Sequence, residues 1–135
     1  MMTLLNENLK ESVSDICTHI AASHKSRIIA ACFYGPRICG YAESKSDVYV
    51  FLVLGNYPPR LRGYLQPLNG INAFILAASQ AAFERDVEQG LLGEFVAQNV
   101  TVPYESFVNE QYLQLQEVKM KRRIVLELLE NIVLE

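Results

Sequence analysis

The chain has 135 residues, half of them hydrophobic and a fifth charged, with a formal charge of −3 at pH 7; these proportions predict one compact soluble domain over residues 1–135 and exclude a disordered or low-complexity chain. The longest apolar runs, Ile28–Tyr34 and Val48–Leu54, fall far short of the ~20 residues that cross a bilayer, and no secretory pattern opens the sequence, so a cytoplasmic location without membrane contact is expected. Cys17, Cys32 and Cys39 have no CxxC spacing and only His19 and His24 to join them, which argues against a disulfide framework and a zinc site.

Leu5, Leu9, Val13, Ile16, Cys17 and Ile20 recur at three- and four-residue spacing between charged residues, which predicts an amphipathic helix over 4–23. The run Arg27–Tyr34, stopped by Gly35-Pro36, predicts a strand buried on both faces, and Asp47–Leu54, stopped by Gly55-Asn56, predicts a second. Residues 35–46 between them form a Gly-, Ser- and Pro-containing loop. After Tyr57-Pro58-Pro59, the stretch Leu61–Leu68 is expected as a short helix or irregular crossover. Ile71–Ala78 is a third strand candidate whose alanines also permit a helix. A helix follows from Ser79 to Gln89, with Gly90 placed to end it, then a short helix over Leu91–Gln98 and an edge strand at Val100–Val102 before Pro103. Asn109 is expected to cap a long last helix over 109–135. Its end, Ile124–Leu134, is apolar nearly all round, so it should be buried either in the core or against a partner or second copy through Ile124, Leu128 and Ile132. The sum of these elements is a mixed α/β (α+β) fold, a small mixed sheet flanked by helices.

The charge is uneven. Residues 27–68 carry a net +3, from Arg27, Arg37, Lys45, Arg60 and Arg62 against Glu43 and Asp47, whereas residues 69–117 carry −6. An anionic ligand would be drawn to the first stretch, with ordinary solvated side chains as the alternative. Single residues have plain readings. Cys32 alternates within a buried strand as a small core residue, and Cys39 in the loop has no histidine neighbour to activate it. His24 and His19 suit a helix C-terminus, and Glu84, Asp86 and Glu88 suggest a solvated acidic face.

One constellation has chemical content. Gly35, Arg37, Gly40, Ala42, Ser46 and Asp47 stand in register between the two apolar runs, and over residues 27–55 the sequence resembles the DNA polymerase beta-like nucleotidyltransferase superfamily. Phe83–Gly90, Gly93-Glu94 and Lys119–Arg123 are more loosely similar to an archaeal branch of it. The resemblance implies nucleotidyl transfer from a nucleoside triphosphate to a hydroxyl with two Mg²⁺ ions, the triphosphate held by Gly35, Arg37, Gly40 and Ser46 and the metal by Asp47. That chemistry needs carboxylates, because hard divalent ions clamp the attacking and leaving oxygens, and an acid-x-acid pair on a strand aims two of them at one site. Here Tyr49 holds the second acidic position and Asn72 the place of the third. Pro36 replaces the serine of the turn, removing a hydroxyl and an N–H, and no Asp or Glu occurs between Asp47 and Glu84.

These departures imply a domain that has lost catalysis and binds a nucleotide or nucleic acid, or regulates a partner, without a required cofactor. Three alternatives stand beside it: an active Mg²⁺-dependent nucleotidyltransferase recruiting Glu43, a dimerisation or docking module of a toxin–antitoxin-like assembly, and a glycine loop kept only because the turn is tight.

Overall fold

The computed structural model describes residues 7–35, 38, 47–90 and 103–134. In chain order the elements are α1 (Glu7–Ser23), β1 (Arg27–Tyr34), β2 (Val48–Gly55), β3 (Leu61–Leu68), β4 (Ile71–Ser79), α2 (Gln80–Gln89), β5 (Tyr104–Val108) and α3 (Glu110–Leu134). The fold is a mixed α+β architecture, as the periodicities predict. The five strands form one sheet in the order β3-β4-β2-β1-β5, in which only the β2–β4 pair is parallel.

Burial follows the strand alternation. Val48, Val50, Leu52 and Leu54 of β2 face α1, where they meet Val13, Cys17 and Ile20. Phe51 and Val53 face the other way, toward Phe83 and Val87 of α2 and Leu113 and Met120 of α3. A central strand covered on both sides explains why β2 reads as an unbroken apolar run. Ser79 caps α2 by accepting from the Ala82 N–H at 3.1 Å, and Gly90 ends it in the left-handed conformation, its N–H donating to the Asp86 carbonyl. Asn109 caps α3 through its side-chain oxygen, which accepts from the Tyr112 N–H.

Three expectations are corrected. Leu61–Leu68 is a strand, paired antiparallel with β4 from Leu61↔Ala78 to Leu68↔Ile71. Asn69 and Gly70 both adopt positive φ, at 46° and 87°, the geometry of a tight two-residue hairpin, and Asn-Gly is the strongest short signal for it. Pro67 is accommodated because β3 is an edge strand.

The acidic residues of α2 are not all solvated: Glu88 is exposed as expected, but Asp86 and Glu84 are not. Asp86 is fully buried, and Glu84 accepts hydrogen bonds from Tyr112 Oη at 2.7 Å and Gln80 Nε2 at 2.9 Å. Burial and that carboxylate both push the Tyr112 phenol above its ordinary value.

The end of α3 is not core. Ile124 packs against the α2 side of the sheet, so it does not share the outward face expected for it, whereas Leu128 is 57% and Ile132 71% exposed. Arg123 ties the inner face of α3 to α2, its Nε donating to the Val87 carbonyl at 2.8 Å and its Nη2 to the Asp86 carbonyl at 3.4 Å. The helix expected at 91–98 and the strand at 100–102 lie outside the described residues. No described helix is long and apolar enough to cross a membrane.

Candidate functional site

The strand register brings the candidate residues to one end of one sheet face. Asp47, directly before β2, and Tyr49 within it are two residues apart and so point to the same side. β4 runs parallel to β2 with Val48 opposite Ala73 and Tyr49 opposite Phe74, which sets Asn72 beside Asp47. Gly35, directly after β1, reaches the same place because Tyr34 pairs with Tyr49. Asp47, Tyr49, Asn72 and Gly35 are therefore neighbours, as the sequence pattern requires. Pro36, Arg37, Gly40, Glu43 and Ser46 lie outside the described residues, as does Cys39.

The chemistry of this end is aromatic rather than ionic. Tyr49 stacks on Phe74 with ring centroids 5.4 Å apart and planes 13° apart, and its other neighbour is Tyr34, at 5.8 Å. Gly35 has φ +88°, and a Cβ there would lie 2.9 Å from Tyr49 Cδ2. The Tyr49 ring thus fills the space against the turn, and only glycine lets it do so. Asp47 Oδ1 accepts from the Asn72 backbone N–H at 3.1 Å, which ties the start of β4 to β2. Among the described residues no group of three His, Cys, Asp or Glu side chains is placed to hold a metal ion.

Register extends the pattern across the whole sheet. Tyr104 pairs with Tyr34, Tyr34 with Tyr49, Tyr49 with Phe74, and Phe74 with Leu65, one row over all five strands. Tyr104 and Tyr34 lean against the helical layer. Burial, with the Cys32 thiol and the Tyr49 phenol nearby, pushes the Tyr34 phenol above its ordinary value, so it stays neutral. Phe74 and Leu65 open to solvent, 36% and 59% exposed. Beside this row lies a pocket of about 350 Å³ lined by Tyr34, Tyr49, Phe74, Leu65, Leu76 and Gly63. Nothing stands within 4 Å of where a Gly63 Cβ would be, so the missing side chain leaves the pocket open at its β3 wall.

The basic residues do not converge here. Arg27 opens β1 at the far end from Tyr34, about 23 Å away along the strand. Arg60 is at that far end too, its carbonyl accepting from the Ser79 N–H, and Arg62 lies over the Tyr64 ring. The +3 stretch is therefore not one patch among the described residues. The aromatic row is the feature that sequence reasoning missed. Its members are far apart in the chain, and only the hairpin at Asn69-Gly70 gave notice that β3 would extend it.

Cys17, Cys32 and His24 have structural roles. Cys17 and Cys32 are buried, and burial pushes both thiols up to about 12. His24 Nδ1 is 3.2 Å from the Ile20 carbonyl at the end of α1, and its ring meets Tyr57 edge-on. His19 is exposed on α1.

Compared with known proteins, the sequence matches no family model and no curated protein.

Proposed function

We propose that this chain is a nucleotidyltransferase-like domain without two-metal catalysis, which binds a nucleotide by stacking its base in the aromatic pocket of the sheet. The observation that carries the reading is the Tyr34–Tyr49–Phe74 row beside Asp47. The position where the resemblance calls for a second metal-binding acid holds a phenol stacked on Phe74 and tilted against Tyr34, and Asn72 offers an amide in place of a third acid. A neutral phenol and an amide do not replace two carboxylates around Mg²⁺. Phe74, 36% exposed, instead offers the open aromatic surface that a nucleobase requires, since each base has a π-face and stacking is worth about 1–3 kcal/mol per base. The pocket volume of about 350 Å³ is within the range of small-molecule sites. In the sequence, Gly35, Arg37, Gly40 and Ser46, which the resemblance assigns to the phosphates, lie between the Tyr34 and Asp47 ends of these strands, with Lys45 among them.

Two readouts test this. Incubation with an α-labelled nucleoside triphosphate, Mg²⁺ or Mn²⁺ and hydroxyl acceptors should release no pyrophosphate. Thermal-shift titration with ATP and GTP should raise the Tm equally with Mg²⁺ and with EDTA. Label transfer abolished by Asp47→Asn would establish the active-enzyme alternative and overturn the proposal.

A further inference from the structure

The outer face of α3 carries a pattern that the domain does not use. The inner face is fully engaged: Leu113, Gln116 and Met120 are buried, and Arg123 and Ile124 pack on α2 and the sheet. On the opposite side Leu115, Val118, Arg122, Val125, Leu129 and Ile132 follow one another at spacings of three, four, three, four and three. All six are exposed. A strict three-four alternation averages 3.5 residues per turn, the period that keeps a seam facing one partner helix along its length, and it is narrower than the broad stripe that packs on a sheet.

We propose that α3 pairs antiparallel with α3 of a second copy of this chain, with the Leu115–Ile132 seam as the interface. Three observations select this occupant. The first is area. Eight apolar side chains on this side of α3, the seam's five with Leu126, Leu128 and Val133, are each 50–79% exposed. Together they present roughly 800 Å², the share of one partner in a standard stable interface and more than the largest apolar patch of most monomers.

The second is self-complementarity. An antiparallel alignment that sets Arg122 of one copy opposite Val125 of the other also sets Leu115 opposite Ile132 and Val118 opposite Leu129, so all six seam positions are used twice. The third is charge. Parallel in-register pairing would bring Arg122 of one copy onto Arg122 of the other inside the seam, whereas the antiparallel alignment sets each Arg122 against Val125 and keeps the two like charges out of register. Lys121 and Arg123 are already paired within their own helix, to Glu117 and Glu127. Because the inner face of each α3 holds its own sheet, the two domain bodies fall on the outer sides of the helix pair.

Sedimentation equilibrium of the full chain tests the proposal. At micromolar concentration the particle mass should be twice that of the chain, and the Tm should rise with protein concentration. Leu129→Glu should raise the dimer dissociation constant by at least about 100-fold, because two unpaired carboxylates would be desolvated in the seam. Leu129 is exposed in the monomer, so the far-UV circular dichroism of the variant should be unchanged.

Orientation is read by cross-linking. A Leu115→Cys chain mixed with an Ile132→Cys chain should form an oxidised heterodimer, while the Leu115→Cys chain alone should cross-link no more than the unsubstituted chain. A monomer at all concentrations, a dimer indifferent to Leu129→Glu, or efficient cross-linking of Leu115→Cys with itself would each overturn the proposal.

Discussion

The ring of Tyr49 lies 13° from parallel to that of Phe74, their centroids 5.4 Å apart on adjacent parallel strands. This contact occupies the position where an acid-x-acid motif would present its second carboxylate, so placing an acid there should not create an enzyme. Tyr49→Asp gives Asp47 a companion but removes the stack and sets two like charges on one face. The variant should lose about 1–2 kcal/mol of stability in urea unfolding and release no pyrophosphate from a nucleoside triphosphate. Catalysis by this variant would show that a two-metal site needs nothing more than this one residue.

Gly35→Ala tests the turn that receives the Tyr49 ring. At φ +88° an alanine is strained, and its Cβ would meet Tyr49 Cδ2 at 2.9 Å, a ring atom with Phe74 behind it. A loss of about 1–3 kcal/mol is expected by denaturant unfolding. A neutral result would mean that the turn readjusts and that the glycine is not required by the ring.

Asp47 has a role in this fold independent of metal, because it accepts from the Asn72 N–H. Asp47→Ala should cost about 1–2 kcal/mol, whereas Asp47→Asn, which retains an acceptor oxygen, should cost distinctly less. Mg²⁺ should leave the Tm of all three proteins in place. A Tm that rises with Mg²⁺ only when Asp47 is intact would instead mark it as a metal ligand.

Much of this architecture is legible in the sequence, and the misses have physical causes. The ends of β1 and the caps of α2 were readable because Gly35-Pro36, Ser79 and Gly90 act locally on the backbone. Leu61–Leu68 was not, since its exposed edge position lacks the apolar run of a central strand and Pro67 argues against one; only Asn69-Gly70 pointed to the hairpin. Asp86 looks like a surface residue in sequence, yet it is buried where Arg123 of α3 crosses α2. At the site, Asp47, Tyr49, Asn72 and Gly35 could be grouped from motif spacing. The contribution of Phe74 and Leu65 could not, because a row across five strands depends on register between segments far apart in the chain.

Alkaline pH should weaken the fold. Burial pushes the thiols of Cys17 and Cys32 up to about 12 from an ordinary 9.0. Their folded values exceed the unfolded ones, so the stability linked to them is complete below pH 9 and is lost as pH rises toward 12, where only the unfolded chain has released the protons. Each thiol contributes a slope of about 1.4 kcal/mol per pH unit in that window. Unfolding free energies measured from pH 8 to 11 should fall, and Cys32→Ala should flatten the fall. A constant stability across that range would contradict the burial of both thiols.

Calorimetric titration of ATP into the full chain in EDTA, repeated with Mg²⁺ and with two variants, tests base stacking on the Tyr49–Phe74 face most directly. Binding should be saturable without Mg²⁺ and weakened about tenfold or more by Phe74→Ala, the loss of one stacking partner. Gly63→Val, which enters open space on an edge strand, should close the pocket and abolish binding without loss of stability. No binding at millimolar ATP, or binding that requires Mg²⁺ and survives both substitutions, would contradict base stacking on that face.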